Sequence, residues 1–176
     1  MFANFLNLAF NSFPSDNTAF AGFVERVGFE LEPLTYIYKD RGQILLQFPE
    51  QYNKWSDFMS WNENKKQWHP IEGLKEQDFT KFAYPDQMPY TKSILEDLEM
   101  YRTRAMNLRS KSCYSYHNDP TKRIHIPLVT NENCFIIVDD ILNRYPADGS
   151  YYIVDTTKKH TAVNASWEER IHIVGC

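Results

Sequence analysis

The chain has few cysteines, no long apolar run and no excess of basic charge, and each shortage closes off a class of protein. Its three cysteines, Cys113, Cys134 and Cys176, are odd in number and far apart. They make neither a disulfide framework nor a Cys-x-x-Cys metal site, so a reducing, cytoplasmic setting is expected. No apolar stretch approaches the roughly 18 residues of a membrane-spanning helix. The opening segment MFANFLNLAFNSFPSDN is apolar, but it lacks a basic region and is broken by Asn and Pro. It reads as a packed N-terminal segment rather than a secretory signal. Lys and Arg number 19 against 23 Asp and Glu, for a net charge of -4. That balance offers no surface for nucleic acid or an anionic membrane. No internal repeat or low-complexity linker is visible.

What is abundant is aromatic. Phe, Tyr and Trp make up 15% of the 176 residues, with twelve Phe, eleven Tyr and four Trp. Such residues suit β-strands and pocket walls. The length fits one domain, residues 1–176, able to bury a real core. Within it, residues 1–100 are expected to supply supporting strands and a helix, and residues 101–176 to carry the chemistry.

Residues 1–30 are mixed and compatible with a short helix or strand. Leu34 to Phe48 reads as a hairpin, TYIYK and QILLQF about a turn at Asp40-Arg41-Gly42. Residues 50–73 hold Trp55, Trp61 and Trp68 without clean periodicity; these rings either line a substrate entrance or cover the body of the protein. Pro89 to Arg104 predicts a helix, with Ile94, Leu95, Leu98 and Tyr101 at helical spacing. Short strands follow at Ala105–Leu108, Tyr114–His117, Arg123–Thr130, Cys134–Asp139, Ser150–Thr157, His160–Asn164 and Arg170–Gly175. Strands so short and regularly spaced, divided by Asn-Asp-Pro, Asn-Glu-Asn and Pro-Ala-Asp-Gly turns, argue for a barrel or jelly roll.

The polar residues on those strands carry the chemistry. On an extended chain residues i and i+2 point the same way, so His117 and Asp119 converge while Asn118 faces away. The segment HTAVNASWEERIHIV reads as strand, turn, strand, which places His160 opposite Arg170 across a hairpin. Together His117, Asp119 and His160 form a two-His-one-carboxylate set, the arrangement of non-haem Fe(II) oxygenases. Arg170, ten residues beyond the second His, offers a planar fork for the far carboxylate of a keto acid. In Arg123-Ile124-His125-Ile126-Pro127-Leu128, Ile124, Ile126 and Leu128 share one face, and Arg123 and His125 share the other. Two basic residues facing inward are costly unless an anion or partner meets them. Arg123 has an alternative as an ion-pair partner of Asp119 or Asp139, and His125 as an orienting residue. His172, in phase with Arg170, reads as structural, Asn164 as a cap for the turn after its strand, and Cys113 and Cys134 as buried small hydrophobes.

The run H-N-D…R-I-H-I-P-L over 117–128, followed by H-T-A-V-N-A-S-W-E-E-R-I-H-I-V over 160–174, resembles the aspartyl/asparaginyl β-hydroxylase family, in particular its triad-bearing branch with the cis-proline hydroxylases. The resemblance covers about residues 100–176. It implies a mainly β fold with flanking helices, a double-stranded β-helix (cupin-type jelly roll). It also implies a dioxygenase that uses Fe(II), 2-oxoglutarate and O2, with ascorbate as a stimulant, and releases succinate and CO2. His117, Asp119 and His160 would then be metal ligands, Arg170 would bind the distal carboxylate, and Arg123 and His125 would be further cosubstrate contacts. The expected substrate is a free amino acid or a residue in a peptide or protein. Animal members lack the metal-binding carboxylate, whereas Asp119 is present here, so their substrate does not transfer. Two rival readings remain at this point: a metal cupin that does not use 2-oxoglutarate, and a non-catalytic jelly-roll binding module. Oligomeric state is open.

Overall fold

The computed structural model describes residues 22–34, 42–64 and 66–176. The first element is helix α1 (Phe23–Leu31). Val24, Val27 and Leu31 recur at helical spacing on its inner side, with Val27 and Leu31 buried and Phe29 left exposed. Strand β1 (Gln43–Leu45) follows, then β2 (Gln47–Pro49), the hairpin β3 (Met59–Asn62) and β4 (Gln67–Pro70), and β5 (Phe79–Phe82). Helix α2 (Pro89–Asp97) completes this part, with Pro at its first position. Its free N-terminal amides are satisfied from another element. The Glu30 carboxylate on α1 accepts the Tyr90 and Thr91 N–H groups and the Thr91 hydroxyl, at 2.7 to 2.9 Å.

The predicted helix to Arg104 stops early. Glu99 enters the left-handed region (φ 51°), and the Met100 N–H returns to the Leu95 carbonyl at 2.9 Å, closing the helix end. Burial explains the stop, since Met100 and Thr103 are drawn into the core, where Gln47 accepts from the Thr103 N–H and hydroxyl. The predicted 34–48 hairpin is also revised. Its first strand lies outside the described residues, and QILLQF divides at Leu46 into β1 and β2, which pair with different strands.

Eight further strands follow: β6 (Arg104–Leu108), β7 (Ser112–Cys113), β8 (Arg123–Val129), β9 (Cys134–Val138), β10 (Ile141–Asn143), β11 (Tyr152–Val154), β12 (His160–Asn164) and β13 (Arg170–Gly175). With β1 at one edge they form two antiparallel sheets, ordered β1-β6-β13-β8-β11 and β10-β9-β12-β7. The chain crosses from one sheet to the other at nearly every connection; β9 to β10 is the exception. That hairpin turns on Asp139 and Asp140, both in the left-handed region, as a two-residue primed turn requires. Strand β10 was absent from the sequence expectation, although Asp-Asp between apolar residues was its signal.

Alternation along the five-stranded sheet separates two environments. Ala105, Ile126, Leu128 and Ile173 face outward into a core shared with Val27, Leu31, Ile94 and Leu95 of the helices. Leu108 and Val154 face the other sheet and meet Ile136 and Ala162. The two-face reading of β8 therefore holds: Ile126 and Leu128 go under the helices, and buried Arg123 and His125 take the alternate positions. The expected hairpin joining His160 to Arg170 does not form. Strand β12 pairs with β7 and β9, whereas β13 pairs with β6 and β8, so the two residues lie on different sheets. The intervening turn is long enough to cross the gap, and Asn164 fixes it by accepting from Ser166 and donating to the Leu108 and Glu168 carbonyls. Cys134 is buried as expected; Cys113 is exposed at the end of the two-residue β7.

Candidate metal and anion site

His117 and His160 sit directly across from each other, their N–H and C=O groups exchanging two hydrogen bonds of 3.1 and 2.9 Å. This one bridge lies beyond the end of β7, so the predicted strand Tyr114–His117 is reduced to it. It brings the two rings together, tilted by 51° at a centroid distance of 4.3 Å. Asp119 is held beside them by its N–H on the Thr156 carbonyl at 2.8 Å. One ligand atom from each of His117, Asp119 and His160 lies within 4.8 Å of the others. Exposure falls across the set, with side chains 42% exposed at His117, 24% at Asp119 and 8% at His160. The site is thus anchored on one side and open on the other.

The hydrogen bonds decide which ring atoms are free. The His117 Nδ1 lies 2.7 Å from the Ser115 carbonyl, and the His160 Nδ1 3.0 Å from the Lys158 carbonyl. A carbonyl only accepts, so each Nδ1 carries the proton and each Nε2 keeps its lone pair. Those Nε2 atoms face Asp119 at 4.0 and 3.8 Å. Two imidazole lone pairs and a carboxylate, each ring oriented by a backbone carbonyl, are the donor set and outer shell of a divalent transition-metal site. The residues fit iron.

Arg123 takes up the alternative open to it in the sequence. Its Nε donates to Asp119 Oδ2 at 3.0 Å, and its two terminal nitrogens reach Glu76 at 2.7 and 3.1 Å. It also touches Thr121 and the Cys176 thiol. Glu76 carried no sequence signal, because it sits in the polar run Lys-Glu-Gln-Asp.

Arg170 is different. Its side chain is buried, and no carboxylate among the described residues pairs with it. It donates to His172 Nδ1 at 3.0 Å. Since a guanidinium only donates, His172 must accept at Nδ1, and its proton sits on Nε2, a buried atom with no partner among the described residues. His125 Nδ1 approaches the same His172 atom at 3.4 Å and must be the donor there. The three groups therefore form one line of contacts, and His172, which the sequence marked as structural, touches Arg170 directly. Burial, aided by Arg170, pushes both His125 and His172 well below the ordinary value. Burial lowers Arg170 to about 10, with the phenol of Tyr114 countering it. Burial likewise raises Tyr145 to about 12. A cleft of about 340 Å3 adjoins this cluster through Tyr114, Met106 and Leu108, the latter two being the strand partners of His172 and Arg170. Its volume lies at the low end for small-molecule sites, about 300–1,000 Å3. The triad is not part of its lining.

The tryptophans lie elsewhere: Trp61 and Trp68 on the β3–β4 hairpin, and Trp55 in the 3-10 turn before it, meet edge to face around Trp68 at centroid distances of 4.7 and 5.6 Å.

A sequence model of the aspartyl/asparaginyl beta-hydroxylase family matches residues 36–175. A search among curated proteins finds no significant match. Among solved structures, AviO1 from Streptomyces viridochromogenes Tue57 is similar at 13% identity and a TM-score of 0.48, over 86% of this chain and 82% of that one. The plu4264 protein from Photorhabdus luminescens is similar at 15% identity and a TM-score of 0.35, over 42% of this chain and 58% of that one.

Proposed function

The chain belongs to the aspartyl/asparaginyl β-hydroxylase family, and we propose that it is an Fe(II)- and 2-oxoglutarate-dependent hydroxylase of an amino acid, free or within a peptide or protein. Its coproducts would be succinate and CO2, and its eight strands β6–β13 a double-stranded β-helix. The observation that carries this reading is Arg170, a buried cation without an acidic partner among the described residues, in a chain that also assembles a two-His-one-carboxylate set. A buried guanidinium is costly unless an anion meets it. The distal carboxylate of 2-oxoglutarate is such an anion, and the guanidinium fork suits it.

His117, Asp119 and His160 would hold the iron, which supplies the redox chemistry that couples oxidation of the oxo acid to hydroxylation. The Ser115 and Lys158 carbonyls keep the Nε2 lone pairs turned toward it. Arg170 would orient the cosubstrate from its far end, with His172 holding the guanidinium in place. Leu108, Ile136, Val154 and Ala162 keep water from the space between the sheets.

The test is succinate formation from 2-oxoglutarate under air with Fe(II) and ascorbate, with amino acids and peptides added as a panel. Wild type should turn over and His160→Ala should not. Arg170→Ala should weaken 2-oxoglutarate binding by about 2–5 kcal/mol, the range for truncating one partner of a buried charge pair. A wild type that binds iron but neither binds nor consumes 2-oxoglutarate would sink the assignment, favouring a different metal cupin chemistry or a binding module.

A further inference from the structure

Glu76 lies between β4 and β5, outside the strands that carry the triad, yet it is among the most heavily bonded carboxylates of the described residues. Its Oε1 meets Arg123 at 2.7 Å and also pairs with Arg102; its Oε2 accepts from Arg123 at 3.1 Å and from the Thr121 hydroxyl at 2.7 Å. Glu76 is 11% exposed and Arg123 only 3%. Both terminal nitrogens of Arg123 are thus gripped by one carboxylate in the two-pronged geometry that fixes a guanidinium plane. With the plane fixed, the direction of the Nε–H is fixed as well, and that hydrogen goes to Asp119 Oδ2.

We propose that Glu76 is a positioning residue of the metal site, acting through Arg123 to set the orientation and available charge of Asp119. This rests on the reading of His117, Asp119 and His160 as metal ligands. Two physical effects act in the same direction. Geometrically, the clamp holds Oδ2 on Arg123 while it faces His160 Nε2 at 3.8 Å, and so turns Oδ1, which no donor among the described residues reaches, toward His117 Nε2 at 4.0 Å. Electrostatically, Arg123 and Arg102 are two cations close to Asp119, and both would compete with a metal for its charge. Glu76 lies against both and offsets them. Partners that orient a metal-binding carboxylate typically change metal affinity about 10–100-fold when removed.

Co(II) serves as the probe, titrated into the metal-free protein and followed by its d–d absorption, with a thermal melt of each variant alongside. Glu76→Gln keeps the shape and loses the charge, and should weaken Co(II) binding about tenfold. Arg123→Lys keeps the charge and loses the fork, and should do the same. Because the two act in one relay, the double variant should be hardly weaker than either single one. Wild-type affinity in Glu76→Gln would overturn the proposal, as would a double variant about a hundredfold weaker, the mark of independent effects. If Glu76→Gln does not fold, Arg123→Lys decides alone: undiminished Co(II) affinity there breaks the relay. A wild type that takes up no Co(II) overturns the metal-site reading and this proposal with it, whereas wild-type uptake with an indifferent Glu76→Gln overturns only the proposal.

Discussion

The aromatic cluster within residues 45–83 and the space between the two sheets of β6–β13 are both buried, but they are built from opposite materials. The first region encloses Leu45, Phe48, Phe58 and Phe79, with Phe58 ringed by Phe48, Tyr52 and Phe79 at 5.1 to 5.7 Å. The second encloses Arg123, His125, Arg170 and His172 beside a small apolar cluster. Packing alone accounts for the aromatic region, where close contact and lost water supply the stability. Burying arginine and histidine works against folding, so their retention between the sheets calls for a task that apolar residues cannot perform. The aromatic region reaches the other at Glu76, through its ion pairs with Arg102 and Arg123.

The sharpest test of that contrast is a pair of truncations. His160→Ala should abolish iron binding and turnover, a loss of at least about a hundredfold for a missing ligand, while the metal-free protein still unfolds cooperatively in urea. Phe58→Ala should do the reverse. Removing a fully enclosed ring costs about 3–5 kcal/mol of stability. Co(II) affinity measured on the molecules that remain folded should stay within a few-fold of wild type. Metal affinity lost in step with stability in Phe58→Ala would show that the two regions are one unit.

A smaller effect is read from pH. His125 and His172 are held neutral, chiefly by burial and next by the Arg170 charge, well below their ordinary value of 6.5. In the unfolded chain both take up protons as the pH falls through 6.5, while in the folded protein they do not. The unfolded state then binds more protons, so stability declines with falling pH from about 6.5 down to the folded-state values. The slope is about 1.4 kcal/mol per pH unit for each histidine. His172→Gln, which keeps an acceptor for Arg170, should flatten the curve by one such increment in urea unfolding of the metal-free protein between pH 7 and 5. An unchanged slope would mean that His172 is not the buried neutral group the hydrogen bonds require.

The same contrast governs what was legible in the sequence. The strands of the second region could be read because their polar residues interrupt apolar ones with period two; β8, β12 and β13 fall within a residue of expectation. His117, Asp119 and His160 come together as the sequence suggested, but only His160 lies on a regular strand; His117 makes a single bridge and Asp119 follows it. The link between His160 and Arg170 was misread because spacing along the chain cannot tell a hairpin from a crossover between sheets. In residues 45–83 aromatic side chains occupy both strands and loops, so periodicity fails there. Glu76 acts through partners 26 and 47 positions away, Arg102 and Arg123, and no local pattern encodes such distances.

The tryptophans test the aromatic region at its edge. Trp61 and Trp68 are directly opposed on β3 and β4, yet they are 42% and 48% exposed. Unlike Phe58, they keep nearly half of their surface in water, so we weigh them as a cross-strand aromatic pair, about 0.2–1 kcal/mol. Trp61→Ala should therefore lower stability by no more than about 1 kcal/mol and leave Co(II) binding unchanged. If these rings instead meet the substrate, the same variant should raise KM for the hydroxylated substrate while sparing KM for 2-oxoglutarate, because only the former would contact the hairpin. A stability loss near that of Phe58→Ala would contradict both roles and make the hairpin part of the aromatic core.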